Sequence, residues 1–169
     1  MRNIPFGQEG DFSEQSLKDR YNNELANKLG NLVSRVSGMV NKKEGKITKV
    51  PVDKELSDKL NMILINEYME SFQLDKGLNE IFNFVEECNE YVQKKQPWTL
   101  EGKERNKVLY TLADSIRVLS ILLSPFIPSA CDQINSQYGF PKPTIKNVKF
   151  GLTKSGKIKK GEILFKKID

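Results

Sequence analysis

From residue 17 onward the apolar side chains fall at Leu17, Tyr21, Leu25, Leu29, Leu32, Val36, Met39 and Val40, in steps of three and four until the closing pair. Side chains three and four apart return to one face of a helix, whereas a strand needs alternation by two, so this run draws a single stripe along one long helix. Asp11 or Ser13 can cap its start, because either side chain accepts from the unpaired amides of a first turn. The helix is expected to last to residues 41–43, before Gly45. At about 1.5 Å per residue it measures on the order of 45 Å.

The same period recurs downstream. Val50-Pro51-Val52-Asp53 marks a second start, with Asp53 as cap and Leu56, Leu60, Ile63 and Met69 as the expected buried stripe. Asp75 opens a third helix, whose Leu78, Ile81, Phe82, Val85, Cys88 and Val92 keep the period to about residue 94. Gln96-Pro97-Trp98 interrupts it, since proline has no donor for the helical ladder and pushes its predecessor out of the α region. A fourth helix is expected over 103–124 on Val108, Leu112, Ile116, Leu119 and Leu123, with Pro125 as the stop. A short fifth follows Pro128 to Tyr138, where Gly139 can close it.

The expected architecture is therefore all-α: an antiparallel bundle of about five helices over 13–139, preceded by a linker over 1–12 and followed by an extended, lysine-rich segment over 140–169. No internal repeat is visible. The charge is divided unevenly, with 18 Lys and Arg against 20 Asp and Glu in residues 1–140, and 9 against 2 in 141–169. A nucleic acid held by the helical part must then be held by a local patch and particular side chains, not by a broad positive field.

Several function classes lose support at this stage. The chain has no histidine, which removes the commonest general base and metal ligand. Cys88 and Cys131 lack CxxC spacing and sit in apolar, helical surroundings, so neither a disulfide framework nor a zinc site is expected, and a reducing cytoplasm is the simplest home. Leu29-Gly30-Asn31-Leu32 lies inside a helical stripe and not after a strand, so it is no phosphate loop. Paired carboxylates such as Glu86-Glu87 are expected on solvated outer faces. No membrane-spanning run and no signal-peptide core are apparent, and no catalytic residue or metal ligand is assigned.

What remains is one edge of the first helix. With Leu32 at zero and about 100° per residue, the apolar stripe centres near about +40°, Asn31 falls near about −100°, Arg35 near about −60°, Lys42 near about −80° and Lys28 near about −40°. An amide and three cations thus lie beside the core, with Asn31 and Arg35 one turn apart. An amide offers donor and acceptor together, and guanidinium presents a planar fork that also stacks, which suits base recognition; lysines above and below suit phosphates. Gly38, near about −120° on the same edge, costs about 1 kcal/mol against alanine in a helix interior. Trp98, in a proline-stiffened break, can serve as a stacking platform for an unpaired base. Each feature has a plainer reading: Arg35 paired with an acid such as Glu24 or Asp58, solvated lysines, Gly38 permitting close helix packing, and Trp98 plugging the bundle end.

The residues also carry a resemblance. Ile4-Pro5-Phe6-Gly7-Gln8-Glu9-Gly10-Asp11-Phe12-Ser13, Arg20-Tyr21-Asn22 and the run from Leu25 through Gly30-Asn31-Leu32-Val33-Ser34-Arg35 resemble the anticodon-binding domain of class I methionyl-tRNA synthetases. Lys95-Gln96-Pro97-Trp98 is similar to that family's lysine-proline-tryptophan segment, with Gln96 inserted. Leu122-Leu123-Ser124-Pro125-Phe126-Ile127-Pro128 resembles its last bundle junction, and Gly161-Glu162-Ile163-Leu164-Phe165 the stretch beyond the bundle. The resemblance implies that Asn31 and Arg35 read base edges of the CAU anticodon of a methionine tRNA, that Trp98 stacks on its first base, and that Lys42 adds a basic contact. Lys28 is a further candidate for the RNA backbone.

The family's Rossmann domain, with its HIGH and KMSKS signatures and zinc knuckle, is absent from these residues. The resemblance therefore implies a non-catalytic fragment, or one piece of a split enzyme, that itself holds neither ATP nor methionine and whose partners are tRNA and the catalytic domain of the synthetase. Leu164 and Phe165, which in such enzymes pack back toward the catalytic domain, are expected to be stranded. Competing readings are the equivalent domain of another class I synthetase and a helical protein-interaction module with an incidental basic edge.

Overall fold

A computed structural model describes residues 13–42 and 45–168. The expected linker over 1–12, Asp11 included, lies outside them. The first long helix is present as three consecutive stretches, α1 (Glu14–Arg20), a π-helical run (Tyr21–Gly30) and α2 (Asn31–Asn41). Ser13 caps it, its hydroxyl accepting from the Ser16 amide at 3.3 Å. The wider i→i+5 turns of the π stretch shift the angular register before Asn31, so Lys28 does not occupy the wheel position that a uniform α period gives it. Asn31, Arg35, Gly38 and Lys42 keep theirs, since α2 is regular.

The expected second helix is two pieces, α3 (Lys54–Ser57) and α4 (Met62–Glu70). Asp53 caps the first as anticipated, accepting from the Glu55 amide at 3.3 Å. Asn61 caps the second through the Leu64 amide at 3.0 Å. This new start resets the phase of the helix: Ile65 faces the core, while Ile63, expected to be buried, is 74% exposed. The third helix, α5 (Leu74–Lys95), buries all six expected stripe residues and adds Phe84 and Tyr91. Then come α6 (Gly102–Leu123) and α7 (Pro128–Tyr138), the latter ended by left-handed Gly139.

The largest departure concerns α6. Its sequence shows one apolar stripe, yet every residue from Val108 to Leu123 is buried. The lysine-rich segment explains this, for it folds back along the helix that the other elements leave uncovered. Asp114 and Arg117, three apart, form an ion pair at 2.9 Å. The Asp114 carboxylate also accepts from the Gly151 amide at 2.5 Å, the Thr153 amide at 2.9 Å and the Thr153 hydroxyl at 2.7 Å. Arg117 donates to the Asn147 and Lys149 carbonyls at 2.8 and 2.5 Å. Phe150 meets Phe84 edge-on at 6.0 Å, and Ile158 is buried.

Two residues further along the chain complete a short antiparallel ladder, β1 (Lys46–Ile47) with β2 (Gly156–Lys157). The expectation that Leu164 and Phe165 are stranded is corrected. Both pack against the core, and the Phe165 ring stands edge-on to Tyr21 at 6.0 Å. Gly30 makes room for it: a Cβ there would lie 3.3 Å from Phe165 Cδ2 and 3.1 Å from the Leu25 carbonyl oxygen. Cys88 and Cys131 are free and buried, and burial pushes both thiols well above the usual range, Cys131 to about 12. Among the described residues no helix is long and apolar enough to cross a membrane.

Two substitutions test this account. Asp114→Ala leaves Arg117 buried without its counter-charge and frees the amides of 151 and 153, so a loss of about 3–5 kcal/mol is expected in denaturant unfolding; a loss below 1 kcal/mol contradicts the role given to this pair. Gly38 sits mid-helix where an added Cβ would meet no atom within 4 Å. Gly38→Ala should accordingly raise stability by about 0.5–1 kcal/mol, seen as a Tm increase of about 1–4 °C.

Candidate nucleic-acid interface

Packing of the first helix against α5 leaves a groove of about 820 Å³, lined on one side by Asn27, Lys28, Asn31 and Arg35 and on the other by Glu86, Asn89, Glu90, Gln93 and Lys94. The stripe Leu29, Leu32, Val36 turns into the core and sets the neighbouring edge, one helical step away, along the groove wall. Asn31 is exposed and Arg35 partly so. Among the described residues neither side chain makes a hydrogen bond or an ion pair, although both are anchored on a helix whose opposite face is fully buried.

The plainer reading of Arg35 does not hold in the described structure. Glu24 pairs instead with Arg20 at 3.6 Å, and Asp58 accepts from the Ser57 hydroxyl at 3.3 Å. Arg35 thus keeps its five donors for another partner. Gly38 likewise does not serve close helix packing, since nothing lies within 4 Å of where its Cβ would be. It leaves the backbone open three residues beyond Arg35 on the same edge.

The lysines differ from one another. Lys28 spans the groove to the Glu86 carboxylate, so its charge already has a protein partner. Lys42 closes α2 as its C-cap and is exposed at the end of the same edge. Lys94, on the α5 side, is held by Glu55 at 2.6 Å. Glu86 and Glu87 are consequently not merely solvated: the second pairs with Lys59 at 3.6 Å. All of these are exposed pairs that an incoming polyanion can exchange at small cost.

Trp98 does not plug the bundle end. Gln96 takes a left-handed conformation, φ 44°, and accepts from the Thr99 amide at 2.8 Å, closing a turn with Pro97 and Trp98 at its centre. Pro97 is buried and Trp98 is 50% exposed, so the turn is nailed down by one residue and holds the indole out with the next. The indole is not part of the groove wall. It lies four residues beyond Lys94, which is, so its Cα is at most about 14 Å from that residue.

Below the turn, Asp53 ties three helices together. The Tyr91 hydroxyl donates to its carboxylate at 2.9 Å, and its amide donates to the Thr111 hydroxyl at 3.0 Å. Burial pushes the Asp53 carboxyl up, but the Tyr91 hydroxyl, the Glu55 amide, Lys107 and Lys95 together hold it below the ordinary range. Burial and the adjacent Asp53 carboxylate raise the Tyr91 phenol well above its usual range. The base of the Trp98 turn is therefore fixed by charge and hydrogen bonds.

Sequence reasoning missed the far wall. Asn89, Glu90 and Gln93 repeat at steps of one and three beside the α5 stripe, a polar edge that the same wheel construction reveals once α5 is known to face the first helix. Asn89 is partly committed, donating to the Val85 carbonyl at 3.0 Å. The groove as a whole offers amides, carboxylates and one uncommitted guanidinium, with no histidine and no cluster of three metal-ligating residues among the described ones. Such a wall can recognise planar hydrogen-bonding edges.

Residues 53–165 match the family model described as the anticodon-binding domain of tRNA ligase, and residues 1–37 match that for class I tRNA synthetases (M). A methionine–tRNA ligase of Caldanaerobacter subterraneus subsp. tengcongensis is 38% identical over 184 residues, covering 100% of this chain and 29% of the relative. One from Clostridium tetani is 36% identical over 183 residues, again covering 100% of this chain and 28% of the relative. The chain thus spans under a third of the length of these relatives. In fold it superposes on apo Mycobacterium tuberculosis methionyl-tRNA synthetase with a TM-score of 0.89 at 24% identity, over 99% of this chain and 37% of that one. With that family model matched over 53–165, the protein belongs to the anticodon-binding domains of tRNA ligases, and the relatives aligned along its whole length are methionine–tRNA ligases.

Proposed function

We propose that the groove between the first helix and α5, with the Trp98 turn at its end, receives the splayed anticodon of a methionine tRNA and selects CAU. The observation that carries this reading is the pair Asn31 and Arg35, rigidly mounted, one turn apart, and without a partner among the described residues. A side chain on a packed helix and without a protein partner needs no backbone reordering and breaks no existing bond when a ligand arrives, so only the ordering of the side chain itself is set against its new hydrogen bonds.

The roles follow from chemistry. An unpaired base presents its Watson–Crick and Hoogsteen edges, and an amide can satisfy a donor and acceptor on one edge at once. Asn31 supplies that amide. Arg35 supplies a fork of donors for carbonyl and ring-nitrogen acceptors. Trp98 offers the face on which the first anticodon base stacks, and Lys42 a cation for the backbone. Lys28 contributes only if RNA displaces Glu86. Because the helical part of the chain is nearly neutral, these contacts carry selectivity while the field carries little.

In this reading the chain serves methionine–tRNA ligation in the cytoplasm by reading the tRNA, alongside a catalytic domain that binds ATP and methionine. The groove itself needs neither small molecule. Support comes from the relatives, which are methionine–tRNA ligases, and from a groove wall suited to recognition.

A CAU anticodon hairpin should bind more tightly than one with the first anticodon base changed, as measured by filter binding or NMR titration; equal affinities favour a protein-interaction module instead. Trp98→Ala is expected to weaken CAU binding by about 1–3 kcal/mol while the helical circular dichroism stays unchanged. A collapsed spectrum would make the indole a structural element. Arg35→Gln should reduce the preference between hairpins by about 1–3 kcal/mol, and an undiminished preference removes Arg35 from the reading set.

A further inference from the structure

At the end of the bundle that carries Trp98 and Lys42 lies a second cavity of about 1060 Å³, larger than the decoding groove and walled by different elements. Its floor is apolar, with Ile47, Val50 and Leu109, and Ile47 and Leu109 are buried in the core. Its rim carries Lys46, Lys103, Arg105 and Lys107, and no acidic side chain lines it. In a helical body of nearly balanced charge, four cations around one cavity are a local excess.

The cavity is built, and the site is not a chance gap between lysines. Asn106 clamps the strand wall from both sides, accepting from the Thr48 amide and donating to its carbonyl, each at 2.9 Å. Arg105 donates to the Met39 carbonyl at 2.5 Å, which fixes the start of α6 against the end of α2. Lys107 leans toward Asp53 at 3.8 Å. Lys46 and Lys103 are exposed, and neither has an ion pair among the described residues.

The cavity also lies near the proposed decoding surface. Met39, the acceptor for Arg105, stands about one turn beyond Arg35 on α2. Trp98 lies four residues from Lys94 in the groove and four from Gly102 in the cavity, so its Cα is within about 14 Å of both. An RNA strand whose base stacks on the indole is then within about 14 Å of a residue of each.

We infer that this cavity holds an unpaired nucleotide of the same RNA loop outside the anticodon, its base over Val50 and Pro51 above the buried Ile47 and Leu109, and its phosphate between Lys46 and Lys103. The inference rests on the RNA reading above and extends it to a second subsite. The chemistry of the cavity fits one class of occupant. An apolar floor accepts the face of any base, so it reads no sequence, and the paired cations neutralise the flanking phosphates. The cavity is therefore a grip, whereas Asn31 and Arg35 discriminate.

The test uses the whole chain, a CAU hairpin and the hairpin with its first anticodon base changed, titrated between 50 and 200 mM salt. Two variants are compared: Lys46→Ala with Lys103→Ala, and a charge control, Lys154→Ala with Lys167→Ala, on the C-terminal segment. Loss of two single-strand phosphate contacts lowers the slope of log K against log salt by about 1.4, so the wild type should lose about sevenfold more affinity than the cavity variant across this range. Both hairpins should weaken by the same factor, and the Ile47 and Leu109 methyl resonances of the wild type should move on binding. An unchanged slope and affinity in the cavity variant overturns the inference while a CAU preference in the wild type leaves the decoding reading standing. An equal loss in the charge control also overturns it, showing a general field. If the wild type binds both hairpins alike and only the cavity variant weakens, decoding fails and the cavity stands; if it binds neither, both fail.

Discussion

The buried pair of Asp114 and Arg117 is the constraint on which the rest of this molecule depends. Two opposite charges inside a helix bundle are tolerable only if their lone pairs and protons find partners, and here the partners come from a segment thirty or more residues away in the chain. That requirement fixes where residues 147–153 run. Once they run there, α6 is covered on its last open face, and the two-residue strands that close the cavity at the bundle end come into register.

Rigidity at the bundle end then follows step by step. α6 is the axle against which α2 and α5 pack, so the angle between those two helices, and with it the width of the groove, is set by a fully buried core. Asp53 and Tyr91 fasten the same end from the other side. The side chains proposed to contact RNA stand on this frame without taking part in it. Asn31 and Arg35 make no hydrogen bond or ion pair among the described residues, and Trp98 is lifted away from the core by a turn whose proline is buried. Such a division lets binding residues stay unpaired without costing the fold its stability.

Much of the architecture is legible from apolar spacing. The stripes of the third and fourth helices and of the α2 part of the first, the caps at Ser13 and Asp53, the break at Pro97 and the stop at Gly139 follow local rules that hold wherever the chain is placed, whereas Leu17, read into the same first stripe, is 55% exposed. The failures share a cause. Ile63 was assigned inward because Asn61 was not read as a new cap, and the wheel ran on through a break. Lys28 was given an α-helical angle inside a π-helical run. Asp114 and Arg117, at i and i+3, look like an exposed surface pair, for nothing local says that a distant segment will bury them.

The sequence by itself determined that the chain is helical, where all its helices but the second begin and end, and that Asn31, Arg35 and Lys42 share one edge, because these depend on side-chain spacing within about a turn. Only the tertiary structure decided that this edge faces Asn89, Glu90 and Gln93 across a groove, that Arg35 is left without an acid among the described residues, that Trp98 stands half exposed, and that lysines from separate elements ring one cavity. Those outcomes rest on which surfaces are brought together, and that is settled by burying Asp114 and Arg117 beneath a returning strand of chain.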